Sequence, residues 1–478
     1  MTLLWTSDEL VAAVGGRPFG TLPEGVTGIS IDSRTLQRGE AFFAIKGDRF
    51  DGHDFATFAM AAGAGLLVIS EEKLPALGRL TVPKVVVPDV LKALRDLAVA
   101  ARKRSHGKVI AVTGSAGKTT TKEMLRHALS SVGTVHAADR SFNNHWGVPL
   151  SLARLPADAD YAIFEIGMNH PGEIEPLTQL VKPHIAIITL IAAAHLGHFK
   201  SLDEIAEAKG EIFSGVVPGG HAILNRDDQR FKLLADMAAE AGIKNIWGFG
   251  ENVRSHFRLA HYEPEGNRSA VAIKVAGQEL VGRIGAPGRH IVQNALAVIG
   301  AGYLAGADVS KLLAALGDFS AEEGRGRMHR LSLGEGTITL IDESYNANPA
   351  SMKAALQVLD HSPVSSGEGR RIAVLGDMLE LGVHSEKLHT ALGDIIAATR
   401  TDVLLLAGTE MKALADNPPA GRLVEYRPSV EELQSLLFEV LRPGDTVMIK
   451  SSKGIGFSRL VDALLKTYPA AVDEPDRA

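Results

Sequence analysis

Between residues 113 and 120 the chain reads TGSAGKTT, small residues closed by a lysine and two hydroxyls. The run follows a β-type segment, Val109 to Val112, and opens a segment with apolar residues at Met124, Leu125, Ala128 and Leu129. The order is strand, loop, amphipathic helix. Phosphate binding is the chemistry that fits this spacing. Gly114 and Gly117 let backbone amides approach phosphate oxygens, the helix amino end favours anions, Lys118 reaches terminal phosphates, and Thr119 can ligate Mg2+. Thr113, Gly114, Ser115, Ala116, Gly117, Lys118, Thr119 and Thr120 are therefore the expected ATP site. The general pattern wants glycine at position 112, where this chain has Val112. By itself the loop leaves a ligase, a kinase, a GTPase and a motor all open.

Three polar residues stand where apolar ones are expected. Glu165 interrupts the strand-like run Tyr161 to Ile166, where it either meets Mg2+ or caps the following turn. His195 follows the run Ile185 to Ile191, as a ligand of a divalent ion or as an ordinary loop histidine. Ser201 and Glu204 have the spacing of a capping box, and the helix they start carries an apolar stripe through Leu202, Ile205, Ile212 and Phe213. Lys209 falls on that stripe. It must snorkel, pair, or lose its charge chemically, for example as a carbamate that helps hold Mg2+.

The elements that would position these groups follow from the wider pattern. At 478 residues the chain exceeds one ordinary core, and about 150 residues per domain gives roughly three domains. Short apolar runs and turns up to residue 105 read as a small α/β domain. From Lys108 apolar runs alternate with helical patterns (VIAV, YAIFEI, IAIITLI, HAILN), which predicts a doubly wound, mostly parallel sheet. A second α/β series, TITLID, RIAVLG, VLLLAG and TVMIK, follows a boundary near Gly324 to Arg330 and predicts a Rossmann-like carboxyl-terminal domain. The expected domains are 1–105, 106–325 and 326–478.

Other function classes recede. The net charge of −6 argues against nucleic acid held by bulk charge. The absence of cysteine excludes thiolate metal sites and cysteine nucleophiles. The amino terminus, MTLLWTSDEL, lacks a signal-peptide pattern, and Ile185 to Ala194 is too short for a membrane span. A cytoplasmic location is expected, with about the last ten residues, ending VDEPDRA, as a frayed tail.

Taken together, the motifs resemble the Mur ligase family, in particular its D-alanyl-D-alanine-adding (MurF) type. They are DSRTLQRGEAFFAIKGDRFDGHDF at 32–55, TGSAGKTTTKEML at 113–125, NNHWGVPLSL at 143–152 and EIGMNHPGEI at 165–174. AKGEIF at 208–213, NRDD at 225–228, DESYNANPASMKAAL at 342–356 and GDMLELG at 376–382 complete the set. The resemblance implies an ATP-dependent ligase that joins UDP-N-acetylmuramoyl-tripeptide to D-alanyl-D-alanine, acting as a monomer. It implies that Glu165 and His195 ligate Mg2+ together with Thr119, and that Lys209 is carbamylated; with Lys118 these would be the catalytic groups. Asp32, Ser33, Arg34, Gly47, Gly52 and His53 would form the UDP-sugar site, with Asn143 and Asn144 facing substrate. Asn294, Arg327, Asp342, Tyr345 and Asn346 would contact the nucleotide. The chain departs from the family pattern at Ile291, Gly197 and the lysine-bearing segment KSSKGIGF.

Overall fold

Short runs of residues, each closed by a turn, build three large sheets that follow one another along the chain, beside a two-stranded ladder of Trp5–Thr6 with Gly25–Val26. The computed structural model describes residues 2–47, 49–139, 141–194, 196–364 and 369–471. In the first sheet, β1 (Arg17–Phe19), β2 (Ile29–Ser30), β3 (Ala41–Phe43), β4 (Leu66–Ser70) and β5 (Lys84–Val87) lie in the order β1-β5-β4-β3-β2. All pairings are parallel except that of β1 with β5. Helix α1 (Val90–Arg104) follows, capped where the Asp89 carboxylate accepts from the Lys92 amide. Its Leu94, Leu97, Ala98 and Ala101 are buried.

The central sheet has nine strands: β6 (Lys108–Thr113), β7 (Val135–Ala137), β8 (Tyr161–Glu165), β9 (Ile185–Ile188), β10 (His221–Asn225), β11 (Asn245–Gly250), β12 (Phe257–Glu265), β13 (Arg268–Val275) and β14 (Gln278–Ile284). Their order is β14-β13-β12-β11-β10-β9-β6-β8-β7. Strands from β7 across to β12 pair in parallel, while β12, β13 and β14 form an antiparallel meander. That meander was not part of the parallel reading. Its strands alternate buried and exposed residues instead of running apolar throughout, because only one face is covered. The run expected to continue to Ile191 ends at Ile188, since the backbone beyond it turns to meet the phosphate loop.

The third sheet orders β15 (Arg327–Leu333), β16 (Gly336–Glu343), β17 (Arg371–Gly376), β18 (Val403–Ala407), β19 (Leu423–Arg427) and β20 (Thr446–Lys450) as β15-β16-β20-β17-β18-β19. Apart from the β15–β16 hairpin it is parallel, which bears out a Rossmann-like unit.

Burial does not respect the sheet count. One core joins Trp5, Leu10, Phe43 and Leu97 to Val109, Val148, Ile205 and Leu224, so the first sheet and one face of the central sheet share an interior. The third sheet has its own cores on its two faces. No helix among the described residues is long and apolar enough to cross a membrane.

Candidate active site

Strand β6 lies between β8 and β9, so the chain winds outward from it in both directions and a crevice opens at its carboxyl end. The loop that fills the crevice leads from β6 into helix α2 (Lys118–Leu129). Gly114 and Gly117 take φ of 147° and 83°. A Cβ at Gly114 would lie 1.9 Å from Thr189 Oγ1, and one at Gly117 2.7 Å from Asn294 Oδ1, so neither position has room for a side chain. The loop is pinned from beside it. Thr189 Oγ1 donates to Ala116 O at 2.5 Å, and the Ser115 amide donates to Leu190 O at 2.7 Å.

Glu165 ends β8, in register with Val112, and is 2% exposed. Its Oε1 accepts from Asn143 Nδ2 at 2.7 Å, while the buried Oε2 has no hydrogen-bond partner. An unpaired buried carboxylate oxygen suits a hard cation, and Thr119 Oγ1 lines the same cleft. Lys118 Nζ donates to Gly114 O at 2.7 Å. Burial pushes its pKa down, Glu165 raises it, and Arg325 lowers it.

Lys209 lies on helix α3 (Leu202–Gly210) and is 1% exposed, so it does not snorkel. Ser201 Oγ accepts from the Glu204 amide at 3.1 Å, but the Glu204 carboxylate reaches the Lys200 amide, so only half of the expected capping box forms. Burial, then Lys118, hold the Lys209 amine well below its ordinary pKa, against Glu211. His195 lies outside the described residues. Among the described residues no group of three or more His, Asp or Glu could hold a metal; the expected set includes His195 and a lysine.

The phosphate loop and Glu165 open on a cleft of about 460 Å³ lined by Ser115 through Thr120, Ser141, Asn143, Glu165, Thr189, Asn294, Arg325, Tyr345, Asn346 and Lys450; buried Lys209 is not part of this lining. Tyr345 and Asn346 thus reach the cleft from the third sheet, as expected. Two other expected nucleotide contacts do not. Asp342 is 3% exposed, and its carboxylate is taken up by the Gly324 amide at 2.6 Å and by Ser344 Oγ at 2.6 Å, so it organises a turn. Arg327 faces outward and pairs with Glu323 at 3.4 Å. Arg325 stands in the cleft instead. Alternation along a strand would put residues two apart in GRGR on one face, so spacing gives no signal here; the turn held by Asp342 at Gly324 and Gly326 is what separates the two arginines. Lys450, paired with Glu343 at 3.0 Å, and Ser141 are further lining residues that motif reading missed.

The residues expected at the UDP-sugar divide in the same way. Arg34 is held by Asp32 through two bonds of 2.9 and 2.7 Å, and its side chain stays 86% exposed beside Ser33, free to meet an anion. His53 has both ring nitrogens engaged, Nδ1 with Asp51 at 2.6 Å and Nε2 accepting from the Ser70 amide at 3.0 Å. It shapes the loop and has no nitrogen left for a ligand. Gly52 is wedged against the Ile45 backbone, where a Cβ would come within 2.6 Å. Asn144 Oδ1 accepts from the Gly147 amide at 2.9 Å, at the start of the helix Gly147–Ala153. Gly47 packs against Trp146, which brings the 47–53 and 143–146 segments together.

Comparison with known proteins adds a second line of evidence. The model for the Mur ligase family catalytic domain matches residues 25–102, that for the Mur ligase middle domain 112–302, and that for the Mur ligase glutamate ligase domain 326–453. The chain belongs to the Mur ligase family. It is 35% identical to the UDP-N-acetylmuramoyl-tripeptide–D-alanyl-D-alanine ligase of Escherichia coli over 91% of this chain and 93% of that one. The corresponding ligase of Bacillus subtilis is 32% identical over 92% of this chain and 94% of its own. A crystal structure of MurF from Acinetobacter baumannii superposes with a TM-score of 0.82 at 30% identity, covering 97% and 99% of the two chains. MurF from Thermotoga maritima, solved in complex with ADP, shares the fold at a TM-score of 0.76 and 23% identity, covering 92% and 97%. The three successive sheets are thus the three-domain Mur ligase architecture.

Proposed function

We infer that this Mur ligase uses ATP to join the terminal carboxylate of UDP-N-acetylmuramoyl-tripeptide to the amine of D-alanyl-D-alanine, in peptidoglycan precursor synthesis. The observation that carries the reading is the phosphate loop and Glu165, with one unpaired oxygen, at one sheet crevice, with wholly buried Lys209 close enough for the Lys118 charge to depress its amine. A phosphate loop alone fits many enzymes. A carboxylate suited to a cation and a buried lysine whose amine is held well below its ordinary pKa fit a site that must gather negative charge from two substrates.

The substrate carboxylate attacks the γ-phosphorus of ATP; the bond to the β,γ-bridging oxygen breaks, leaving ADP and an acyl phosphate. The amine of D-alanyl-D-alanine then attacks the acyl carbon. The tetrahedral intermediate expels phosphate, and the amine proton passes to solvent. Lys118 and the loop amides hold and neutralise the phosphates, and Asn294 and Tyr345 border the nucleotide. Asn143 orients Glu165. Arg34, with Asp32 and Ser33, offers a cation to the diphosphate of the UDP-sugar, beside the wall that Gly47 and Trp146 form.

Thr119, Glu165, His195 and carbamylated Lys209 would hold Mg2+, and the unpaired Glu165 oxygen fits that role. The ion supplies charge neutralisation and alignment for phosphoryl transfer. The carbamate forms when the neutral Lys209 amine attacks CO2, making an N–C bond and releasing one proton; a depressed amine pKa keeps the nucleophile available. ATP and UDP-linked precursors are cytoplasmic metabolites, so we place the reaction in the cytoplasm. Because every proposed site residue comes from one chain, we take the monomer as the working unit.

The test is ADP release from the full-length protein with a panel of UDP-muramyl peptides and D-amino-acid dipeptides. Release that requires both a peptide carboxylate and a dipeptide amine supports the ligase. Release with neither one present overturns it.

A further inference from the structure

Away from the nucleotide cleft, the central and third sheets also meet backbone to backbone. Leu196–His198 form a single 3-10 turn, and the Gly197 amide in it donates to Glu380 O at 2.9 Å. The approach leaves little room for a side chain on either strand of chain. A Cβ at Gly197 would lie 3.1 Å from the Gly382 nitrogen and 3.2 Å from Glu380 O, and one at Gly382 would lie 2.8 Å from the Gly197 Cα. Gly197 is not among the residues with positive φ, so nothing in its own conformation asks for glycine. Only its neighbour across the junction does.

Both sides of this contact are stiffly held. On the third sheet, Asp377 Oδ1 accepts from the Met411 amide at 2.8 Å, His389 Nε2 from the Met378 amide at 3.0 Å, and Ser452 Oγ from the Leu379 amide at 2.9 Å. Met378 and Leu381 are buried in that sheet's own core. Glu380 and Gly382, with φ of 65° and 57°, flank Leu381 in the left-handed region, a costly backbone for a glutamate. On the central side, Phe199 is buried in the core shared with the first sheet, and the His198 ring stands edge-on to His170 with 4.6 Å between centroids. Met168 and Asn169, just before His170, line the nucleotide cleft. Two rigid supports therefore touch at two glycines, and neither can yield cheaply to added atoms.

We propose that Gly197 and Gly382 are positioning residues: their contact, bare of side chains, sets how deeply the third domain seats against the central one. Through that depth they set how closely Tyr345, Asn346 and Lys450, which line the cleft from the third sheet, approach the phosphate loop. A methyl group at position 197 must push the supports apart by a few tenths of an ångström, and a longer side chain by more. Transfer between two bound substrates is sensitive to displacements of that size. The consequence for turnover rests on the ligase reading above; the seating itself does not.

The experiment uses full-length Gly197→Ala and Gly197→Leu, since substitution at Gly382 would add backbone strain of its own. Steady-state ADP release gives kcat and KM for the UDP-linked tripeptide, and small-angle X-ray scattering gives the radius of gyration with a non-hydrolysable ATP analogue and Mg2+. Gly197→Leu should lower kcat by about 100-fold and Gly197→Ala by about threefold to tenfold, with KM for the UDP-linked tripeptide within about threefold of the parent. Gly197→Ala should melt at or above the parent's temperature, because at ordinary φ the methyl group restricts the unfolded chain. The nucleotide-loaded Gly197→Leu protein should keep a larger radius of gyration than the loaded parent. A kcat for Gly197→Leu within about threefold of the parent overturns the proposal. So does a lost kcat with a loaded radius equal to the parent's, the mark of a defect confined to the turn. If the parent releases ADP without carboxylate or amine, the ligase reading falls, while the scattering comparison, which needs no turnover, still decides whether the two glycines set the seating.

Discussion

Asn143 Nδ2 donates to Glu165 Oε1 over 2.7 Å, tying a loop that follows the phosphate-loop helix to the carboxylate at the end of the neighbouring strand. One oxygen of Glu165 is thereby fixed and the other presented. Asn143→Ala should leave the carboxylate in place but free to rotate. The expected result is a Mg2+ requirement raised about 10-fold to 100-fold in the ADP-release assay, with maximal rate partly restored at high Mg2+. An unchanged Mg2+ titration would separate Asn143 from the metal.

Lys118 is the one side chain in the phosphate loop with a charge to offer the transferred group. Lys118→Ala should reduce turnover by at least about 1,000-fold while binding of the UDP-linked substrate, measured by calorimetry, moves less than about threefold. Retained turnover would remove the phosphate loop from the chemistry.

Lys209 is buried and its amine is held well below the ordinary value, first by burial and then by Lys118. Lys209→Ala should be nearly inactive and regain activity with acetate or formate, which fit the space and replace the anion. Native mass spectrometry of the parent should show the added carboxyl group. Neither rescue nor added mass would leave Lys209 as a neutral packing residue.

A pH prediction concerns the strand that carries the loop. The Val109 amide donates to His184 Nδ1 at 2.9 Å. Burial, followed by Arg102 and Lys108, pushes the His184 pKa down from 6.5 to about 4. The unfolded chain takes up this proton near pH 6.5, whereas the folded chain resists it until about 4. The contribution is therefore whole above pH 6.5 and drains away as pH falls towards 4. Because His184 is only half-buried, about 1–2 kcal/mol is at stake after solvent screening. Urea midpoints at pH 7.5 and pH 4.5 should differ less in His184→Asn than in the parent; an equal difference would assign the pH effect to other groups.

Sequence made the phosphate loop, Glu165 and buried Lys209 legible because each breaks a strong local pattern: glycines before a helix, a carboxylate in an apolar strand, a lysine on an apolar stripe. It was less able to say which polar residue of a motif faces the ligand. His53 and Asp342 sit in motif segments, yet each spends its polar atoms on nearby side chains and backbone, a use set by loop geometry that spacing does not encode. The choice of Arg325 over Arg327 depends on a turn fixed by Asp342, seventeen residues away from one arginine and fifteen from the other. The antiparallel meander at 257–284 went unread because its alternation is weaker than the continuous runs of the parallel strands.

The interior shared by the first sheet and the central one has a mechanical consequence. Trp5 Nε1 donates to Ala153 O at 2.9 Å, Arg154 Nε to Ile29 O at 2.6 Å, and the Arg104 guanidinium lies over the Trp5 ring, so separating these two parts would tear open a common core. The third sheet keeps its apolar surfaces to itself and meets the rest through polar and backbone contacts such as Arg325 with Ser141 and the Gly197 amide with Glu380 O. The third sheet could therefore part from the rest without opening an apolar interior, whereas the first and central sheets could separate only by exposing the core they share.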